Sequence, residues 1–346
     1  MKLVVKIGGH AAEDRALRRQ LARQITQLCR SGHQVVVAHG GGRMLTQVLE
    51  RLGIATEFHD GLRVTDAATR DVALMVLAGI VNKQWVAELE AQGQPALGIC
   101  GGDAGLLAAR KLIVGVNGRR KSLGFVGRPQ RVNTRILHLA FQSDIVPVVA
   151  SMGLTPGGEY LNVNADDLAA ALAAALQADR LLYVTESGGV WDAEGQRLPT
   201  IKLKEIPSLI RGGIVRDGMI PKLRSCARTL RHGVGEIGLI SPTARRGLLR
   251  VVEDGALVGT RIVKAGICSA DPVLGSAVLE FGFDSAAGDR DKPGKAADLK
   301  ARSALPIATP VRPSTFDCRL PFLRARTASF PVRNSVYLLP RERNRT

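Results

Sequence analysis

The 346-residue sequence is poor in aromatics: Phe, Trp and Tyr together make up 4% of it, and no dense Lys/Arg block is interleaved with them. Nucleic-acid surfaces combine clustered cations with stacking rings, so this scarcity argues against nucleic acid as the main partner. The five cysteines (Cys29, Cys100, Cys226, Cys268 and Cys318) are scattered, with no CxxC pair and no metal-ligand spacing. That excludes a disulfide framework and a protein-held metal centre, and it points to a reduced, cytoplasmic chain. The longest apolar stretches, such as 166–176, are too short or too charged at their ends to span a bilayer, so no membrane partner is expected. The chain begins directly on a strand-like run, so no signal or transit segment is expected. Three common catalytic signatures are missing as well. No GxSxG elbow accompanies the HGGG stretch at 39–42, as an esterase would need. No GxGxxG opens a helix, and Gly294-Lys295 is followed by Ala296, which breaks a Walker A loop.

What is present is ordinary for a globular protein, 45% apolar and 23% charged, and long enough for one large domain or two modest lobes. The formal net charge is +17; residues 264–346 carry 14 Lys/Arg and 8 Asp/Glu, leaving +11 on residues 1–263. A basic balance of this kind suits an anionic substrate.

Apolar runs alternate with amphipathic stretches. Strands are predicted at 2–7, 34–38, 95–100, 145–150, 180–185 and 236–240, and helices at 14–30, 43–52, 67–92, 132–142, 166–177 and 219–232. This is the βαβ pattern of an α/β protein with a mainly parallel sheet and helices on both faces. Glycines cluster where strands end, and ligands in such sheets bind beyond the carboxyl ends of strands. Periodicity breaks near Val263. Residues 264–346, rich in Pro, Arg, Ser and Ala, read as a mostly disordered extension or as run-on sequence.

Five segments carry the chemistry. Lys6-Ile7-Gly8-Gly9 ends a buried strand in a lysine and two glycines, whose N–H groups can approach an anion because no Cβ blocks them. A tight turn with a solvated lysine would read the same way. His39-Gly40-Gly41-Gly42-Arg43 leaves free N–H groups at the positive end of a helix. Gly61-Leu62-Arg63-Val64-Thr65-Asp66 places Arg63, a possible bidentate carboxylate partner, before a helix that Thr65 or Asp66 would cap. In Leu161-Asn162-Val163-Asn164-Ala165-Asp166-Asp167, Asn162 and Asn164 share one face of an extended segment, and Asn164 or Asp166 would cap the helix that follows. Asp217-Gly218-Met219-Ile220-Pro221-Lys222 puts Lys222 in the first turn of a helix, an unfavourable place for a cation unless an anion sits beside it. His39 and His59 read as structural.

Taken together, in order, and with Asn82-Lys83, GGDAG at 101–105, LGFVG at 123–127 and GTRI at 259–262, these motifs resemble the amino acid kinase family, most closely its N-acetylglutamate kinases. GLRVT and the GGDAG-type loop favour that branch over aspartokinase, uridylate kinase or carbamate kinase. The resemblance covers about residues 1–263. It implies a three-layer α/β/α sandwich, with an acyl-amino-acid lobe over about 1–160 and a nucleotide lobe over about 161–263. By position it implies that Lys6, Lys222 and Asp166 are catalytic, that Gly41, Gly42, Arg63 and Asn162 hold N-acetyl-L-glutamate, and that Gly8, Gly9, Gly218 and Lys222 contact the ATP phosphates. Mg2+ would be held mainly by those phosphates.

Two departures stand out. Glu186 occupies the usual aspartate position of the turn at 185–190, and the apolar residue after it is lost. The mobile N-terminal helix of arginine-inhibited hexameric members has no counterpart before the first strand, which implies a homodimer without arginine feedback. Two other readings are compatible with the sequence. One is a sister kinase acting on another acyl or carrier-bound amino acid such as aminoadipate. The other is a catalytically weak basic binding protein on the same scaffold.

Overall fold

The computed structural model describes residues 1–116, 119–215 and 219–264; the expectation for 264–346 therefore lies, beyond its first residue, outside the described residues. An eight-stranded sheet runs in the order 200–202, 260–263, 236–240, 180–184, 2–7, 34–39, 146–150, 96–100. Every pairing is parallel except that between Glu236–Ile240 and Thr260–Val263.

Both faces of these strands are apolar, and the two-residue period sends alternate side chains into two cores. Leu3, Val5, Ile7, Val35 and Val37 pack into one core with helices Arg15–Arg30, Gly42–Arg51 and Gly247–Val252. Val4, Val36, Ala38, Leu181 and Tyr183 point into the other, beside helices Ala165–Leu176 and Met219–Arg231. The expected α/β/α sandwich is the architecture observed.

Helix ends follow local chemistry. The Asp14 carboxylate caps its helix by accepting from the Leu17 N–H at 2.8 Å, and Asp66 does the same with the Thr69 N–H at 2.8 Å. At Ala165–Leu176 the cap is Asn164, whose side chain accepts from the Asp166 and Asp167 N–H groups at 2.8 and 3.3 Å. That leaves the Asp166 side chain free for another task.

Three expectations need correction. The stretch 132–142 is not all helix: the helix is Arg135–Gln142, and Val132 ends a long strand. That strand, Arg119–Val132, and its partner Leu107–Val116 form a hairpin the periodicity did not reveal, and with Met152–Leu154 and Tyr160–Val163 they close a small barrel. Glycines and single bulges interrupt the alternation along it, at Ala108/Ala109 and Lys111/Ile113. Second, the long helix over 67–90 is not uniformly α: residues Leu74–Val81 are wound as a π-helix between α-helical Ala67–Ala73 and Asn82–Glu90. Third, this 24-residue helix is long and apolar enough to cross a membrane by length and composition alone. Its Val72, Ala73, Val76, Leu77, Val81, Trp85 and Leu89 are instead buried in the first core.

Candidate active site

Register decides what meets at the carboxyl edge of the sheet. Ile7 pairs with His39 on one side and with Val184 on the other. The turns that follow these three strands, starting at Gly8, Gly40 and Thr185, are therefore neighbours. The chain leaves strand 2–7 toward 34–39 and leaves strand 180–184 toward 236–240, so the connections diverge between these two neighbours, and the crevice left there is where α/β sheets bind ligands.

Lys6, Asp166 and Lys222 converge at this crevice. The Lys6 ammonium lies 2.7 Å from Asp166 Oδ1, and the Lys222 ammonium donates to Asp166 Oδ2 at 2.9 Å. The Lys6, Asp166 and Lys222 side chains are 13%, 24% and 16% exposed, so the cluster is sheltered but open on one side. Burial alone would raise the Asp166 carboxyl pKa; the two ammonium groups outweigh it and hold the group at about 2. Two cations on one anion leave the cluster net positive, and each ammonium keeps donors for a further ligand.

The surroundings explain the residue types. A Cβ on Gly8 would collide with the Lys6 ammonium, so the bare backbone lets the lysine fold over the turn. Gly9 adopts φ +58°, a left-handed conformation that favours glycine, and a Cβ there would stand 2.8 Å from Glu186 Oε1. Glu186 thus lies against the glycine turn, next to the lysine cluster. Beneath Lys222 is the fully buried ring of Tyr183, 5.2 Å from the ammonium to the ring centroid, and the Tyr183 hydroxyl donates to the Asp166 carbonyl at 3.4 Å. Sequence reading passed over Tyr183; its place at the penultimate, alternate-face position of strand Arg180–Val184 was the available signal.

A second cluster adjoins the first. Gly40 would bring a Cβ within 3.3 Å of the Ala165 methyl, one residue from Asp166. Gly41 is wedged against the long helix: a Cβ there would stand 2.9 Å from both Leu77 and Val81. Gly42, by contrast, faces open space and starts the helix Gly42–Arg51. Arg63 is buried; it donates to the Gly42 carbonyl at 3.2 Å, to Thr46 Oγ1 at 2.7 Å and to Thr56 Oγ1 at 3.1 Å, and its guanidinium stacks on Phe58 at 4.6 Å. Arg63 therefore braces the glycine loop. Thr65 joins three motifs: its hydroxyl donates to the Arg63 carbonyl at 2.8 Å and accepts from Asn162 Nδ2 at 3.4 Å, while its backbone pairs with Leu123 and Phe125. Gly124 lies so close to the Thr65 carbonyl that no side chain would fit, which accounts for a glycine in LGFVG.

Lys6, Asp166, Lys222, Gly8 and Gly9 thus form one group, and Gly41, Gly42, Arg63 and Asn162 an adjoining one. Gly218 lies outside the described residues. His39 is buried at the end of its strand with its imidazole held near pKa 4 by burial, so it is neutral at pH 7. His59 lies 3.6 Å from Asp60 on the surface hairpin.

Comparison with known proteins agrees with this geometry. The chain matches the amino acid kinase family over residues 1–241. It is 46% identical over 263 residues to the acetylglutamate kinase of Koribacter versatilis, covering 76% of this chain and 99% of that one. It is 41% identical over 263 residues to the acetylglutamate kinase of Acidobacterium capsulatum, with the same coverage of 76% and 99%. Among solved structures, the N-acetylglutamate synthase of Neisseria gonorrhoeae, complexed with coenzyme A and N-acetyl-glutamate, aligns with a TM-score of 0.68 at 26% identity, over 77% of this chain but only 60% of that one. A sandwich with two glycine turns and a lysine–aspartate–lysine cluster at its switch point, together with these matches, establishes that the chain belongs to the amino acid kinase family.

Proposed function

We propose that this protein is a kinase that transfers the γ-phosphoryl group of ATP to the γ-carboxylate of N-acetyl-L-glutamate, a step of arginine biosynthesis. The observation that carries the mechanism is the pairing of Lys6 and Lys222 on Asp166 between two glycine turns. Identity of 46% along nearly the whole length of an acetylglutamate kinase favours this acceptor over aminoadipate, the carrier-bound alternative.

A free side-chain carboxyl titrates near ~4.3, so the nucleophile is ionised at pH 7 and no general base is needed. A carboxylate oxygen forms a bond to the γ-phosphorus; the bond from that phosphorus to the bridging oxygen breaks, and ADP leaves with the electron pair. The products are an acyl phosphate and ADP. The difficulty is charge, because two anions must approach and the transferring group is itself negative. Catalysis of such a transfer is positioning plus neutralisation. In this reading Lys6 and Lys222 neutralise the phosphoryl oxygens, Asp166 fixes the separation of the two ammoniums, and the Gly8 and Gly9 N–H groups, with Gly218, face the phosphates. Gly41, Gly42, Arg63 and Asn162 hold the acceptor. The acceptor lobe would be about residues 1–160 and the nucleotide lobe about 161–263.

Mg2+ would travel with the nucleotide. Asp166 is committed to two lysines, and among the described residues no three His, Cys, Asp or Glu side chains are grouped to hold an ion. Bound to the phosphates, the metal would neutralise part of their charge. The free thiols of Cys29, Cys100 and Cys226 suit a reducing cytoplasm, where ATP is at hand.

A homodimer is part of this reading. Met75 and Ile80 are 59% and 45% exposed on the π-helical segment, and i→i+5 bonding puts residues about five apart on one face. That apolar face suits a second copy of this chain.

The test is ADP release from ATP with a panel of acceptors. N-acetyl-L-glutamate should support turnover well above free glutamate, aspartate and N-acetyl-aminoadipate. Turnover with aminoadipate derivatives alone would establish the sister activity, and ATP binding without turnover on any acyl amino acid would establish a binding protein.

A further inference from the structure

We propose that His39 is a positioning residue for phosphoryl transfer: as a neutral imidazole carrying its proton on Nδ1, it ties down the Gly40 carbonyl and so turns the Gly41 N–H toward the acceptor.

The tautomer follows from the neighbours. Asn82 is fully buried, and its Nδ2 lies 2.8 Å from the Val148 carbonyl, 3.4 Å from the Ile99 carbonyl and 3.1 Å from His39 Nε2. Carbonyl oxygens only accept, so the side-chain atom facing two of them is the amide nitrogen. Because that nitrogen also faces Nε2, Nε2 must be the unprotonated acceptor. The proton is then on Nδ1, which donates to the Gly40 carbonyl at 2.8 Å. Burial of the ring, which holds its pKa near 4, keeps a second proton away at neutral pH. Asn82 fits where it does because residue 98 is glycine: a Cβ there would collide with the Asn82 amide oxygen.

The consequence for the loop is geometric. In a trans peptide the C=O and N–H point in opposite directions, and the Gly40 carbonyl shares its peptide plane with the Gly41 N–H. A peptide between two glycines rotates easily, since neither residue has a Cβ to restrict it. Pulling the carbonyl toward the buried ring therefore aims the Gly41 N–H away from the ring, toward the open side of the loop. Val81, next to Asn82, closes the opposite side by lying against Gly41. The π-helical winding that ends at Val81 lets these consecutive residues grip two consecutive parts of the loop, Asn82 through His39 and Val81 directly.

The inference rests on the reading that Gly41 binds the acceptor, and two variants separate the roles of the ring nitrogens. In His39→Asn the amide nitrogen replaces Nδ1, so the Gly40 bond survives while the link to Asn82 is lost. In His39→Gln an acceptor remains in place of Nε2, so Asn82 is satisfied while Gly40 is released. Both are expected to lower the melting temperature. The acceptor KM should rise about tenfold or more in His39→Gln, with the ATP KM within twofold of wild type, and His39→Asn should rescue the acceptor KM. Equal effects in the two variants, or changes that merely track melting temperature, would overturn the proposal. A crystal structure of His39→Gln should show the Gly40–Gly41 peptide rotated; an unmoved peptide overturns the tether, and a rotated peptide with an unchanged acceptor KM overturns its role in acceptor binding. Wild-type turnover is the separate arm: failure with N-acetyl-L-glutamate sinks the functional reading, while the peptide orientation still decides whether His39 sets it.

Discussion

Lys6 and Lys222, 216 positions apart in the sequence, grip the two oxygens of a single carboxylate, at 2.7 and 2.9 Å on Asp166. Lys222 stands in the first turn of helix Met219–Arg231, where the helix dipole opposes a cation. Asp166 offsets part of that conflict, and a bound phosphate would offset the remainder.

Lys6→Ala and Lys222→Ala should each reduce kcat by at least ~10²-fold, the scale seen when one preorganised charge-stabilising donor is removed. Melting temperatures should fall only modestly, because each variant removes one of the two cations that hold Asp166 ionised and leaves the other paired with it. Steady-state turnover alongside thermal unfolding decides it; near-normal kcat in both variants would sink the mechanism.

The two glycines of the acceptor loop should answer differently to alanine. Gly41→Ala drives a methyl into Leu77 and Val81, an overpacking that costs about 1–3 kcal/mol. Gly42→Ala meets open space and should leave stability within about 0.5 kcal/mol. Denaturant unfolding measures both, and a rise in acceptor KM for Gly42→Ala would then report lost contact with the ligand rather than lost fold.

Acid should weaken the fold in two stages. The usual histidine pKa is 6.5 and folded His39 is held at about 4, so between these values the unfolded chain binds the extra proton. Stability is therefore full above pH 6.5 and falls as pH drops toward 4, by roughly 3 kcal/mol at ~1.4 kcal/mol per unit. Asp166, with a usual value of 3.8 and a folded value of about 2, adds stability that is full above 3.8 and is lost as pH falls toward 2. Unfolding free energies from pH 7 to 4 should show the first stage in the wild type, and it should shrink in His39→Asn, which has no ring to titrate.

Charging the exposed face of the long helix should separate the copies. Met75→Glu with Ile80→Glu is expected to convert a dimer to a monomer by sedimentation velocity. A monomeric wild type would refute the proposed assembly.

Much of this was legible in the chain itself. Strands 2–7, 34–39 and 180–184 are each built around consecutive Val or Leu residues, and each is followed by glycine or a polar turn, so both the parallel sheet and its ligand edge were readable. The Lys6, Asp166 and Lys222 cluster was accessible through motif order. The hairpin 107–132 was not, because bulges and glycines break its alternation. Asn82 and Tyr183 were not either: a buried asparagine inside an apolar helix and a tyrosine inside a strand read as ordinary core until their hydrogen-bond partners are known. Arg63 was read from its motif only as a ligand contact; its bonds to Gly42, Thr46 and Thr56 add a bracing role that depends on three-dimensional proximity.

The π-helical segment Leu74–Val81 also bears on how the protein tolerates change in length. A helix wound with extra residue per turn can lose one residue and continue as an ordinary α-helix, with better hydrogen-bond geometry. The turns before and after the segment would keep nearly the faces they have now, because the wider winding absorbs the extra residue instead of passing it along the helix. Loss of a residue from the α-helical turns Ala67–Ala73 would instead rotate everything beyond it by about 100° around the helix axis, and Val81 would leave Gly41 and Asn82 would leave His39. The least regular turn of the helix is thus the place where a change of length is absorbed without unseating the acceptor loop.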